Sequence, residues 1–263
     1  MIFSMANIPF HHLACRITAL ALMACGMSGV GAGPTTPVAP FENTIAQRAL
    51  ACIVCHGLQG RAAPDGYYPR LAGKPAGYLY NQLLNFRDGR RHYHLMAQLI
   101  EPLGDAYLLE IAQYFSRLEV PYPAPLPARA SPEVLRQGER LVMQGDRMRQ
   151  LPACNQCHGK AMTGVVPHIP GLLGLPRDYL NAQLGAWKTG QRRTLTPDCM
   201  KDVVARLTLE DINAVASWVA AQPLPPNTRP ALAPPALASG ANLIECARPP
   251  MTTPLQAPLK AQN

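Results

Sequence analysis

Cys52-Ile53-Val54-Cys55-His56 and Cys154-Asn155-Gln156-Cys157-His158 are two copies of one pattern, C-x-x-C-H. That pattern is the attachment signature of a c-type haem. Two thiols three residues apart on a helical turn can reach the two vinyl groups as thioethers, and the histidine that follows offers its imidazole to the iron. A redox or zinc C-x-x-C that happens to precede a histidine is the competing reading of a single copy. Two copies, each opening a matching stretch of chain, favour haem at both. The candidate cofactor-binding residues are therefore Cys52, Cys55, His56, Cys154, Cys157 and His158, and the cofactors are two covalently attached haems.

The matching stretch is Pro69–Arg91 against Pro170–Arg192, where ten of 23 positions are identical. Among them are Pro69/Pro170, Tyr78/Tyr179, Gln82/Gln183 and Arg91/Arg192. The two motif histidines are 102 residues apart, close to the same offset. A period of this kind marks a tandem repeat. Each repeat reads as helical. Helices are expected at Thr44–Cys55 and Glu133–Gln144 before or into the motif, and at Tyr78–Arg87 and Tyr179–Lys188 in the middle. Each repeat closes on a further helix. Leu108, Ile111, Ala112 and Phe115 line the first, and Ile212, Val215, Ala216 and Val219 line the second. Thr208 and Asp211 form a capping-box pattern at the start of the latter. No alternating strand pattern stands out.

An iron held by one histidine needs a sixth ligand or keeps a site open. Methionine on the opposite face raises the potential and closes the iron to substrates. Met96 lies 12 residues before Leu108, and Met200 lies 12 before Ile212. This matched pair is nominated as axial, giving the metal set His56, Met96, His158 and Met200. His92 and His94 are rivals at the first iron. Met143, Met148 and Met162 have no repeat partner and read as packing or surface residues, and His168 as a loop residue. A ligating imidazole also needs its second nitrogen hydrogen-bonded, often to a backbone carbonyl. The carbonyls of Pro69 and Pro170 are the candidates, since proline brings an acceptor with no N–H of its own. Tyr78, Tyr179, Trp187, Arg91 and Arg192 could reach propionates.

The chain has 263 residues, 28 of them proline, and only 15% charged residues. Its formal charge of +8 falls to about +3 once a leader containing Arg16 is removed and four propionates are counted. No lysine run or aromatic-interleaved basic stripe accompanies it, so no nucleic-acid partner is indicated. Residues 1–33 read as a secretory signal peptide: Arg16, a short apolar run from Ile17 to Ala24, then small residues to Gly33. The run is shorter than the roughly 20 residues a membrane span needs. Leu22-Met23-Ala24-Cys25 also resembles a lipobox, so membrane association through a lipidated Cys25 is the alternative to cleavage near Gly33. Either route exports the chain, to the periplasm in a bacterium.

The domain plan that follows is a first haem domain at 42–119, a proline-rich linker at 120–130, a second haem domain at 131–222 and a proline-rich tail at 223–263. Four prolines between Val120 and Pro127 favour an extended, semi-rigid connector. The tail holds ten prolines, cannot bury a core of its own, and reads as extended or partly disordered. Two cysteines, Cys199 and Cys246, remain after the motifs and the leader. In an oxidising compartment they would pair. Otherwise a free Cys199 could replace Met200 at the iron.

With these motifs in place, the stretch from Thr44 to Gln222 resembles the cytochrome c4 family of dihaem class I c-type cytochromes. The resemblance rests on both C-x-x-C-H motifs, the P-x-L-x-G loops, the Y-L-x-x-Q-L helices and the two late methionines. It implies an all-α fold of two tandem class I cytochrome c domains, each wrapped around one haem, with one-electron transfer and no substrate at iron. Its redox partners would be a dehydrogenase, a respiratory complex or a terminal oxidase. The histidine-rich Arg91–His94, Cys199 beside Met200 and the long tail depart from the family pattern. The rival function is a dihaem oxidoreductase such as a thiosulfate dehydrogenase-like enzyme. That function would need an exchangeable iron site near Cys199 or His94.

Overall fold

A computed structural model of the chain describes residues 42–63, 66–125, 127–233, 235, 246–247 and 259–260. The leader and Cys25 lie outside the described residues. In the first repeat, α1 (Ile45–Arg48) and α2 (Leu50–His56) replace the single helix expected over 44–55. Thr44 caps α1 by accepting from the Gln47 amide at 3.2 Å. Ala49 then breaks the ladder with ψ near −6° and is itself only 2% exposed. A short 3-10 turn (Leu58–Gly60) follows the motif, then α3 (Ala76–Arg87), α4 (His94–Ile100) and α5 (Asp105–Arg117). The two-residue strand β1 (Leu118–Glu119) leads into the linker.

The second repeat opens with α6 (Pro132–Gln144), whose N-terminus combines a Ser131 cap with proline at the first helical position. Its motif is a separate short helix, α7 (Cys154–His158). A hairpin of β2 (Gly164–Val165) and β3 (Ile169–Pro170) comes next. Then follow α8 (Arg177–Lys188), α9 (Cys199–Ala205) and α10 (Leu209–Ala220), the last closed by the expected Thr208/Asp211 capping box. A final two-residue strand, β4 (Leu259–Lys260), pairs in parallel with β1. The regular structure is all-α apart from these paired dipeptides and a few isolated bridges, and among the described residues no helix is long and apolar enough to cross a membrane.

Each repeat buries its own apolar cluster. The first centres on Leu108, Ile111, Ala112 and Phe115 of α5 with Leu79 and Leu84 of α3. The second centres on Leu141 and Val142 of α6 with Ile212, Val215 and Val219 of α10. These are the stripes read from the helical period. The two repeats nevertheless belong to one compact unit. The linker is pinned rather than loose. Arg70, 4% exposed, donates to the carbonyls of Val120 and Pro121 and stacks on Tyr122 with its guanidinium 3.8 Å from the ring centre. Tyr122 in turn covers Gly174, where a Cβ would lie 2.5 Å from the ring, so only glycine fits.

Described parts of the tail are anchored as well. Ala231 exchanges backbone hydrogen bonds with Gly164 and Val166, and Arg229 pairs with Glu119. Cys246 is disulfide-bonded to Cys199.

Candidate haem sites

Both C-x-x-C-H motifs are helical, so in each the two cysteines lie about one turn apart on the same face. Each helix ends at its histidine, and the next residue turns the chain with a positive φ: 74° at Gly57 and 86° at Gly159. At Gly57 a Cβ would sit 2.4 Å from the Ala62 carbonyl oxygen, so the turn requires glycine.

His56 and His158 are buried, at 6% and 7% exposure. His56 Nδ1 donates to the Pro69 carbonyl at 2.8 Å, and His158 Nδ1 donates to the Pro170 carbonyl at 2.7 Å. A carbonyl can only accept, so each bond fixes the tautomer and leaves Nε2 with its lone pair. His56 Nε2 is buried with no hydrogen-bond partner, as an iron-binding nitrogen should be before the iron is counted. Burial lowers both imidazole pKa values. The proline carbonyls oppose that effect, and Arg91 adds to it at His56, as Lys74 does at His158. Both rings are therefore held neutral, the form that binds iron.

The thiols argue the same way. Burial raises the pKa of Cys52 and Cys157, and it pushes Cys154 up to about 12, with Cys157 adding to the effect. Redox-active C-x-x-C pairs need a lowered thiol pKa. Among the described residues no group of three or more His, Cys, Asp or Glu is arranged to hold a bare metal ion. The raised thiol pKa values speak against a redox C-x-x-C, and the helical spacing of each cysteine pair before a buried histidine fits covalent haem.

Met96 lies on α4 and Met200 on α9, two seven-residue helices absent from the sequence reading. Both side chains are half-buried. Met96 borders the same apolar cluster as Cys52, and Met200 the same cluster as Cys154. The rivals at the first iron, His92 and His94, do not share that position, whereas Met162 is a buried member of the same cluster as Met200 and Cys154 and reads as packing. His92 and His94 are exposed, and His92 is engaged through its backbone with Gln191. Met148 is 94% exposed, Met143 41% and Met162 4%. His168 packs between the repeats under Gly77.

An aromatic group beside the first motif was not anticipated. Tyr68 meets His56 edge-on at 6.0 Å and also touches Tyr67 and Tyr93, whose hydroxyl lies 3.3 Å from that of Tyr68.

Arg91 and Arg192 are 9% and 4% exposed, and neither forms an ion pair among the described residues. Arg91 lies over Phe86 at 4.4 Å and Arg192 over Trp187 at 3.8 Å, two equivalent positions of the repeat. Burial, and then Arg91, push Arg192 down to about 10. Two buried cations that disfavour each other and face no carboxylate need an anion. Haem propionates would supply that charge, and in this the arginines fit the group.

No protein-family model matches the chain. A protein of Thiomonas intermedia (strain K12) named thiosulfate dehydrogenase electron acceptor is 42% identical over 179 residues, covering 68% of this chain and 81% of the relative. Cytochrome c4 of Pseudomonas aeruginosa is 32% identical over 175 residues, covering 65% and 84%. The crystal structure of reduced cytochrome c4 from Pseudomonas stutzeri matches with a TM-score of 0.56 at 30% identity, over 67% of this chain and 96% of that one. Thiosulfate dehydrogenase from Marichromatium purpuratum matches with a TM-score of 0.61 at 33% identity, over 70% of this chain but only 41% of that longer one.

Proposed function

Because the chain belongs to the cytochrome c4 family of dihaem c-type cytochromes, which carry electrons on two covalent haems, we propose that it is a periplasmic carrier that accepts electrons from a thiosulfate-oxidising dehydrogenase. It would pass them to a respiratory complex or terminal oxidase. The donor class is suggested by the names of the two thiosulfate dehydrogenase-related matches. Export through the leader at 1–33 puts the chain where c-type haem is attached, and a lipid on Cys25 would hold it at the membrane.

When bound, each haem supplies a one-electron ferric/ferrous couple. The chain's residues do the rest. Cys52 and Cys55, and Cys154 and Cys157, would hold the two macrocycles covalently. His56 and His158 would offer Nε2 to the iron, oriented by Pro69 and Pro170. Met96 and Met200 would be the second protein ligands, a set that favours the reduced state. The two apolar clusters would exclude water, and Arg91 and Arg192 would balance propionate charge. The observation that carries this reading is the repetition itself. Each repeat has a buried neutral histidine on a proline carbonyl and a half-buried methionine on a short helix.

A catalytic role would need an exchangeable iron. Cys199, the nominated replacement ligand, is engaged with Cys246, and His94 is exposed, so neither supports that role. The test is to mix the oxidised, haem-loaded protein with thiosulfate, with and without a purified thiosulfate-oxidising dehydrogenase. Reduction of both haems only when the dehydrogenase is present is expected. Reduction by thiosulfate alone would make the protein an enzyme. An optical redox titration alongside should give two positive-potential steps, with the weak ferric methionine–iron band contributed by both haems. A strongly negative step would remove Met96 or Met200 from the ligand set.

A further inference from the structure

The tail touches the second repeat on both sides of its histidine–methionine axis. On one side Ala231 donates to the Gly164 carbonyl and accepts from the Val166 amide, each at 2.9 Å. Ala231 thereby adds an edge to the β2–β3 hairpin, and Pro170 of that hairpin accepts the hydrogen bond from His158. On the other side Cys246 is bonded to Cys199, the first residue of α9 and the neighbour of Met200. The Ala247 amide donates to the Pro197 carbonyl at 2.9 Å, just before that helix. Asp198 caps the same helix end, accepting from the Lys201 amide at 3.1 Å and the Thr194 amide at 2.8 Å.

The first repeat provides an internal control. Its methionine helix, α4, has no side-chain cap from Tyr93. The position equivalent to Cys199 is Leu95, which is 57% exposed. No disulfide or tail segment among the described residues meets it. Two helices of equal length thus carry equivalent methionines: α9 is tied at its N-terminus by the disulfide, the Ala247 amide and the Asp198 cap, whereas α4 is preceded by the backbone bond of the His92 amide to Gln191.

We propose that the C-terminal tail is a covalent strap that positions both axial ligands of the second haem. Ligand exchange is thereby confined to the first haem. The inference rests on Met96 and Met200 being the sixth ligands. The strap acts through position, tying the chain next to Pro170 and Met200. Breaking it frees the N-terminus of α9, so an external base competes better with Met200 and no better with Met96.

The test uses the full-length, haem-loaded ferric protein titrated with imidazole. The hyperfine-shifted methyl signals of Met96 and Met200 are followed by NMR after assignment from Met96→Ala and Met200→Ala proteins. In the parent, imidazole should displace Met96 at lower concentration than Met200. The Cys199→Ser/Cys246→Ser pair should raise imidazole affinity at the second haem about tenfold, since a disulfide restrains the chain it closes, and leave the first unchanged. Ala231→Pro, which removes only the amide bonded to Gly164, should raise it less, and keeps the question open to test if the disulfide variant does not fold. Unchanged affinity at the second haem in these variants would sink the strap. Absence of a Met200 signal from the parent would instead sink the ligand assignment, and the strap with it.

Discussion

Arg91 and Arg192, equivalent residues of the two repeats, form an antiparallel bridge and share their acceptors crosswise. Gln82 Oε1 accepts from Arg91 at 3.0 Å and from Arg192 at 2.9 Å, while Gln183 Oε1 accepts from Arg91 at 2.6 Å and from Arg192 at 2.8 Å. Tyr179 and Tyr78 complete the pattern, at 3.3 Å from Arg91 and 3.4 Å from Arg192. The His92 amide donates to Gln191, and the Arg193 amide donates to Arg90. Three of the pairs identical between the repeats, Tyr78/Tyr179, Gln82/Gln183 and Arg91/Arg192, thus meet one another across a local twofold.

Arg192→Met should therefore cost more than an ordinary surface change. It leaves two glutamines short of a donor at a buried seam, a loss of about 2–3 kcal/mol. It also removes a cation that would balance propionate charge, so the potential of at least one haem should fall. Guanidinium denaturation and redox titration of the haem-loaded protein check the two effects. A variant with unchanged stability and potentials would show that the arginines are bystanders.

Lys74 lies 4% exposed and donates from Nζ to the Gly171 carbonyl at 2.7 Å, across the seam. Burial, and then the charge of Arg70, push its amine from 10.5 down to about 7. Between these values the unfolded chain holds a proton that the folded chain has released, so stability rises with pH across that window. The parent should gain a few kcal/mol between pH 7 and pH 10 on the order expected for a buried lysine. Lys74→Met should be the more stable protein at pH 7 and should lose that slope. Denaturation midpoints at pH 6, 8 and 10 are the measurement, and a flat parent profile would contradict the expectation.

Much of this site was legible in the chain. The motifs named the cysteines and histidines, and the repeat offset paired Met96 with Met200. A carbonyl next to a nitrogen that carries no hydrogen pointed to Pro69 and Pro170. The pairing of Cys199 with Cys246 was one of two open readings, and the structure has the bond. Other features were hidden for physical reasons. Helices α4 and α9 span two turns each, too short for a 3.6-residue period to show, and Tyr93 supplies no cap signal. The break at Ala49 serves burial, to which local propensity is blind. Arg91 and Arg192 read as candidates for propionates, or as ordinary packing or solvated charge, and their shared glutamines were missed because each lies about 90 to 110 residues away from one of the two. The proline-rich linker read as extended and semi-rigid, and its anchoring by Arg70 depends on packing that sequence separation conceals.

Asp211 gives a prediction with the opposite sign in pH. Its side chain is 5% exposed and pairs with Arg149. It also accepts from Gln137 at 2.8 Å and from the Thr208 amide at 3.0 Å. Burial alone would raise its pKa, but Arg149, the Thr208 amide and Gln137 overcome that and hold it below the usual carboxylate range. A lowered carboxylate pKa contributes stability above the unfolded value, near 3.9, and loses it as pH falls through the folded value. Asp211→Asn should cost about 2 kcal/mol at pH 7, less than a fully buried pair because Arg149 is partly solvated. The gap between the two proteins should be full at pH 7 and narrower at pH 3, below the unfolded carboxylate value. Urea midpoints at both pH values check this.

Gly138 marks the crossing of α6 and α10, the contact that closes the second repeat. A Cβ there would lie 2.2 Å from the Ala214 carbonyl oxygen and 2.7 Å from Trp218 Cβ. Both neighbours are in the middle of α10, whose Ala214, Val215, Ala216 and Val219 are buried, so neither can give way without moving the helix. Helical propensity alone would make alanine the better residue by about 1 kcal/mol. Overpacking should win, because separating two close-packed helices loosens every contact along the seam. Gly138→Ala should lose about 2–3 kcal/mol net, or several degrees in Tm. The damage should centre on the second repeat: hydrogen exchange should quicken in α6 and α10 and stay unchanged in α3 and α5. A rise in Tm would mean that propensity outweighs the contact and that the helices have room to part.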